Sequence, residues 1–128
     1  MKNFYTAINC MDGRVQLPVI EYLRDRFKAA YIDAVTEPGP NRLLAEGTDE
    51  AAVASIEQRV RISVETHGSI GIAVVGHDDC AGNPASRSEQ QQQTAAAVRR
   101  IQSRFPGVPV IGLWVDREWT VHEETAAP

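Results

Sequence analysis

A chain of 128 residues with 13 Lys and Arg against 17 Asp and Glu has a formal net charge of -4, and its length suits one sizeable core rather than two. The pI near 5.3 leaves no basic footprint for a nucleic-acid backbone. Hydrophobic residues make up 43% and charged residues 23%, an ordinary globular balance, and no stretch nears the roughly 18 apolar residues that mark a membrane span.

"MKNFYTAINCMDGR" at the start has neither an apolar h-region nor a small-residue cleavage site, which predicts a cytoplasmic protein. In that reducing compartment the two cysteines, Cys10 and Cys80, are expected to bind metal, act in catalysis or simply be buried, not to form a disulfide. Phe4 to Asn9 alternates and is rich in β-formers, so a strand is predicted there. Val15, Val19, Leu23 and Phe27 then recur at helical spacing, with Pro18 suited to that helix's first turn. "AAYIDAVTEPGP" reads as a second strand closed by a Pro-Gly-Pro loop.

Thr48 or Asp49 caps the next predicted helix, whose buried stripe is Val53, Ile56, Val60 and Val64 and whose stop is Gly68. The nearly unbroken apolar run in "SIGIAVVGHDDC" predicts a central parallel strand covered on both faces. A helix over "SEQQQQTAAAVRRIQSRF" turns Val98, Ile101 and Phe105 inward, with Gln90 to Gln93 as a solvated or contact-forming first turn. "VPVIGLWVD" is a fourth strand, and the tail over 120–128 is expected to fray. Strand and helix alternate throughout. The predicted architecture is therefore a single α/β domain over 1–128, with a mainly parallel central sheet of about four strands and helices on both faces.

Ligands of such sheets gather beyond the carboxyl ends of the strands. Cys10, Asp12 and Arg14 lie beyond the first strand, His77 and Cys80 beyond the third, so the sheet brings both groups to one edge. Two thiolates and an imidazole are a donor set matched to tetrahedral Zn²⁺, and three protein ligands leave the open fourth position of a catalytic site. Asp12 is placed either to fill that position or to hydrogen-bond a water bound there. Arg14 is placed to hold the Asp12 carboxylate off the metal by a bidentate contact. Each element also has a plainer explanation: a buried strand-end cysteine, a chance His-x-x-Cys, an Asp-Gly turn, a surface arginine. Their coincidence at two neighbouring strand ends favours the metal.

"CMDGR" with "GHDDC", each following a strand in this order, resembles the β-class carbonic anhydrases over roughly Phe4 to Val115. The resemblance implies zinc held by Cys10, His77 and Cys80, with Asp12 and Arg14 as the dyad gating the fourth position. It implies reversible hydration of CO₂ to bicarbonate by a zinc-bound hydroxide, in a homodimer or higher homo-oligomer that takes no nucleic acid or membrane partner. The chain looks like a small, armless variant: nine residues precede Cys10, none of them the family's upstream glutamine, and "VTEPGPNRL" replaces the usual Arg-Asn-Ala-Gly type loop. Those departures keep other functions in view: a zinc-binding scaffold or regulator without turnover, or a hydrolase of CS₂ or COS. A thiol redox protein using Cys10 and Cys80 fits a spaced Cys-His-Cys set least well.

Other residues take plainer roles. His67 is expected to cap a helix end or lie at the surface, and His122 to be solvated. Phe4 and Tyr31 are expected in the core, Trp114 and Trp119 in core or interface, and Asp78 and Asp79 beside the metal or at a helix start.

Overall fold

Asp12 decides where the first helix begins. In the computed structural model, which describes residues 2–124, its carboxylate accepts the Arg14 backbone N–H at 2.9 Å and caps α1 (Gly13–Phe27). The helix therefore starts at Gly13, two residues before the expected Val15, and Pro18 lies inside it rather than in its first turn. Lys28, in the left-handed region at φ 55°, ends it. Leu23, Val19 and Val15 are fully buried, as their spacing predicts.

Five strands form one sheet in the order β2-β1-β3-β4-β5, one more than expected. β1 (Phe4–Cys10), β2 (Tyr31–Glu37), β3 (Ile72–His77) and β4 (Val110–Val115) run parallel. The fifth strand, β5 (Val121–Glu124), pairs antiparallel with β4, Leu113 opposite Glu123 and Val115 opposite Val121. The expected fraying is thus corrected for residues 121–124, whose backbone bonds are taken up by β4, while 125–128 lie outside the described residues. His122 is likewise not simply solvated: it sits 2.6 Å from the Asp116 carboxylate across the hairpin.

Alternation along the strands divides the interior into two layers. Ile8, Ile72 and Val74 face one core, completed by Leu44 of α2 (Pro40–Glu46), Val53, Ile56 and Val60 of α3 (Glu50–Arg61), and Val98 and Ile101 of α4 (Arg87–Arg104). Tyr5, Ala7, Ala73 and Val75 face the other, where α1 packs. Helices cover both faces, as a parallel sheet requires. The short α2 falls where only a loop was expected, since Pro40 at its first turn begins a helix that the preceding Pro-Gly masks in the sequence.

Asp49, not Thr48, caps α3, accepting the Ala52 N–H at 3.1 Å. The predicted helix to Gly68 changes pitch at Ile62–Thr66, a π-turn that buries Ser63 and leaves Val64 only partly covered. Ser63 then reaches Thr6 of β1 at 2.6 Å and donates to Asp33 at 2.7 Å, while the His67 ring meets the same carboxylate and stacks on Phe4. Tyr31 is 44% exposed on the edge strand β2, not in the core. Among the described residues no helix is long and apolar enough to cross a membrane.

Burial separates two leucines of α1 that look alike in sequence. Leu23 is 0% exposed and Leu17 66%. Leu23→Ala should cost about 2–5 kcal/mol and Leu17→Ala within about 0.5 kcal/mol, read by urea unfolding; similar losses for the two would contradict this packing.

Candidate metal centre

The β1–β3 ladder pairs Thr6 with Ile72, Ala7 with Ala73 and Ile8 with Val74, and stops there. Beyond that point the two strands part, at the switch point of the sheet where crevices form. Cys10 ends one strand and His77 the other, and a turn after His77 carries Cys80 back toward Cys10. The sulfurs of Cys10 and Cys80 stand 3.8 Å apart, and with a ring nitrogen of His77 all three ligand atoms lie within 4.8 Å of one another. All three residues are buried.

This geometry suits a tetrahedral divalent ion. Two sulfurs each about 2.3 Å from zinc and separated by the tetrahedral angle lie about 3.8 Å apart, which matches the observed distance. A disulfide needs about 2.05 Å, and both cysteines are free. The His77 Nδ1 lies 2.7 Å from the Asp78 carbonyl oxygen. A carbonyl only accepts, so Nδ1 carries the proton and Nε2 presents a lone pair. Nε2 is buried without a hydrogen-bond partner among the described residues. An orphaned buried acceptor next to two thiols is the donor set zinc takes.

Backbone N–H groups face both sulfurs, those of Gly39 and Asp12 at Cys10 and that of Gly82 at Cys80, while the Asn83 N–H donates to the Cys80 carbonyl at 3.2 Å. The groups facing the sulfurs offset thiolate charge in a buried place. The two supporting loops cross closely. A Cβ on Gly82 would lie 2.6 Å from the Pro38 backbone, and one on Gly39, itself at φ +59°, 2.9 Å from Gly82. Only glycine permits that approach. Without metal, the Cys80 thiol beside it holds Cys10 well below the usual thiol range, and Cys10 in turn holds Cys80 above it. The pair shares one proton. Burial opposes charge on His77, yet the Cys10 sulfur and the Asp78 carbonyl outweigh it and raise its pKa. The centre favours a cation.

Asp12 and Arg14 form the bidentate pair that their spacing predicts. Arg14 Nη2 reaches Asp12 Oδ2 at 2.7 Å, and Nε lies 3.1 and 3.2 Å from the two carboxylate oxygens. These hydrogen bonds bring the Asp12 pKa down to about 2. The contribution of the ionised carboxylate is therefore complete above about pH 4 and lost as pH falls through about 2. Arg14 is itself held by the Asp79 carbonyl at 3.1 Å and by the Trp119 ring, 4.6 Å from the guanidinium carbon. Asp78 thus acts on the site through its backbone carbonyl, and Asp79 through both its carbonyl and its carboxylate, which accepts from Arg14 Nη1 at 3.3 Å; neither starts a helix.

Two glutamines bear on the centre that sequence reasoning did not single out. Gln16 donates from Nε2 to the carbonyls of Cys10 at 2.8 Å and Asp12 at 2.9 Å, tying the cysteine loop to α1. Its place four residues after Asp12, one helical turn on, was the available signal. Of the run Gln90 to Gln93, expected to be solvated or contact-forming, Gln91 and Gln92 are exposed, Gln93 accepts from Asn83 at 2.6 Å, and Gln90 is buried under His77.

A family profile described as "Putative carbonic anhydrase" matches residues 1–125, and the chain belongs to that family. Among solved structures, the β-carbonic anhydrase CafA of Aspergillus fumigatus shares the fold at a TM-score of 0.50 and 14% identity, over 99% of this chain and 77% of that one. One from the filamentous ascomycete Sordaria macrospora, described as tetrameric, gives a TM-score of 0.53 and 13% identity over 95% and 80%. No curated protein matches the chain in sequence.

The shared proton makes metal uptake depend on pH. A thiol with a raised pKa keeps its proton at neutrality and must lose it to bind zinc, so affinity should rise with pH. Calorimetric titration with zinc at pH 7 in buffers of different ionisation enthalpy should show release of about one proton or more; uptake without proton release would contradict the shared-proton state.

Proposed function

We propose that this chain binds one zinc ion through Cys10, His77 and Cys80 and catalyses the reversible hydration of CO₂, CO₂ + H₂O ⇌ HCO₃⁻ + H⁺. The observation that carries the proposal is the convergence of two sulfurs 3.8 Å apart and an unpartnered imidazole nitrogen at the mouth of the β1–β3 crevice. Membership of the carbonic anhydrase family supports the substrate. When bound, zinc supplies a Lewis-acidic position that lowers the pKa of water toward neutrality.

The protein's own groups do the rest. Ionised at all working pH values, Asp12 is an acceptor only; with zinc held by Cys10, His77 and Cys80, its carboxylate would accept a hydrogen bond from solvent there and orient it toward CO₂. Arg14 occupies both Asp12 oxygens and keeps the carboxylate from becoming a fourth ligand. Release of Asp12 by Arg14 would close the site. Two thiolates donate more charge than imidazoles do, so the lowering of the water pKa is weaker than in a three-histidine site and activity rises toward alkaline pH.

The chain acts as a homo-oligomer in this scheme, supported by its likeness to the tetrameric β-carbonic anhydrases of Sordaria macrospora.

Stopped-flow CO₂ hydration on zinc-loaded protein should show turnover that grows from neutral to alkaline pH. Absence of turnover across that range, with zinc fully bound, would remove the lyase and leave a zinc scaffold, or a CS₂ or COS hydrolase if those substrates react. Cys80→Ala should lose zinc on dialysis; full retention would refute the ligand set. Asp12→Asn should keep the metal and slow hydration by roughly 10–100-fold, and an unchanged rate would refute the role given to its carboxylate.

A further inference from the structure

We propose that Gln90 is a positioning residue for this centre, its side-chain amide fixing His77 and the loop after Cys80 relative to each other. The proposal rests on the zinc assignment above.

Backbone groups of successive strand residues point alternately to the two neighbouring strands. Asp78 donates its N–H to Val115 of β4, so the N–H and C=O of His77 point the other way, toward β1. The ladder to β1 has already ended at Ile8 and Val74. His77 would carry two orphaned, buried backbone groups at the position where it must hold its ring steady. Gln90 meets both. Its Oε1 accepts the His77 N–H at 3.3 Å and its Nε2 donates to the His77 carbonyl at 2.9 Å. The same Nε2 lies 3.2 Å from the Asn83 carbonyl and 3.4 Å from that of Ala85, in the loop that follows Cys80. One amide therefore replaces a strand partner and joins the two segments that bear His77 and Cys80.

The surroundings are built around it. Gln90 is 1% exposed, and Asn41 of α2 donates to its Oε1 at 3.2 Å and to the Thr94 hydroxyl at 3.1 Å. A Cβ on Gly76 would stand 2.7 Å from the Asn41 amide and 2.9 Å from Gln90 Oε1, so a glycine before the histidine makes the room. A buried amide with its hydrogen-bonding capacity used is rigid, and rigidity is what a ligand's support must supply.

Zinc affinity of the full-length chain, measured by competition with a chromophoric chelator, separates positioning from general support. Gln90→Leu, which removes every one of these bonds, should weaken zinc binding by roughly 10–100-fold, while Thr94→Val, which disturbs the same buried network without touching either ligand segment, should stay within about threefold. Gln90→Glu keeps the acceptor for the His77 N–H, loses the donor, and should also weaken binding. Wild-type affinity in both Gln90 variants, or an equal loss in Thr94→Val, would overturn the proposal. Should the Gln90 variants fail to fold, NMR of the wild type decides. Zinc addition should shift the side-chain amide resonances of Gln90 and leave those of the exposed Gln91 and Gln92 in place; a Gln90 signal that does not move overturns it. A wild-type chain with no affinity for zinc would instead overturn the metal assignment itself.

Discussion

The parting of β1 and β3 beyond Ile8 and Val74 is the constraint on which the rest of the molecule depends. Two adjacent parallel strands that stay paired to their ends leave no room between them. Here the ladder stops short, and the last residues of each strand, Cys10 and His77, face a gap rather than a neighbour. The gap costs backbone hydrogen bonds, and two side-chain amides supply replacements: Gln90 for His77 and Gln16 for Cys10. Packing energy from two cores of Ile, Val and Leu holds the sheet on either side of this opening.

Electrostatics then divide the site into an inner and an outer part. Inside, two sulfurs and a carbonyl-oriented imidazole concentrate negative charge and lone pairs in a buried place, which favours a divalent cation. Outside, Arg14 neutralises Asp12 and is itself held by Asp79 and Trp119. Among the described residues, the carboxylate stands apart from the three-ligand group, and its two oxygens are committed to the guanidinium. Three donors without the carboxylate are the number that the proposed function requires of a reactive centre.

Much of this was legible in the sequence, for physical reasons. Apolar period fixed α1, α3, α4 and the strands, because burial of Val15, Val19, Leu23, Val53, Ile56 and Val60 is decided by local spacing. The meeting of Cys10, His77 and Cys80 was legible too, since the ends of adjacent parallel strands lie side by side. What stayed hidden depends on tertiary context. Gln90 is buried and Gln91 exposed within one run, a difference set by helix phase against a sheet not yet known. The π-turn that buries Ser63 has no periodicity of its own, and β5 looked like a loose tail until β4 supplied its partner. α1 starts two residues before the Val15 that the apolar period marks, because Asp12 serves both as a helix cap and as the partner of Arg14.

The most direct measurement is X-ray absorption at the zinc K-edge of the reconstituted protein. We expect two sulfur scatterers at about 2.3 Å and two nitrogen or oxygen scatterers at about 2.0–2.1 Å, one set of them bearing imidazole multiple scattering. A shell with no sulfur, with one, or with four would contradict a centre built from Cys10, His77 and Cys80 with one position open to solvent.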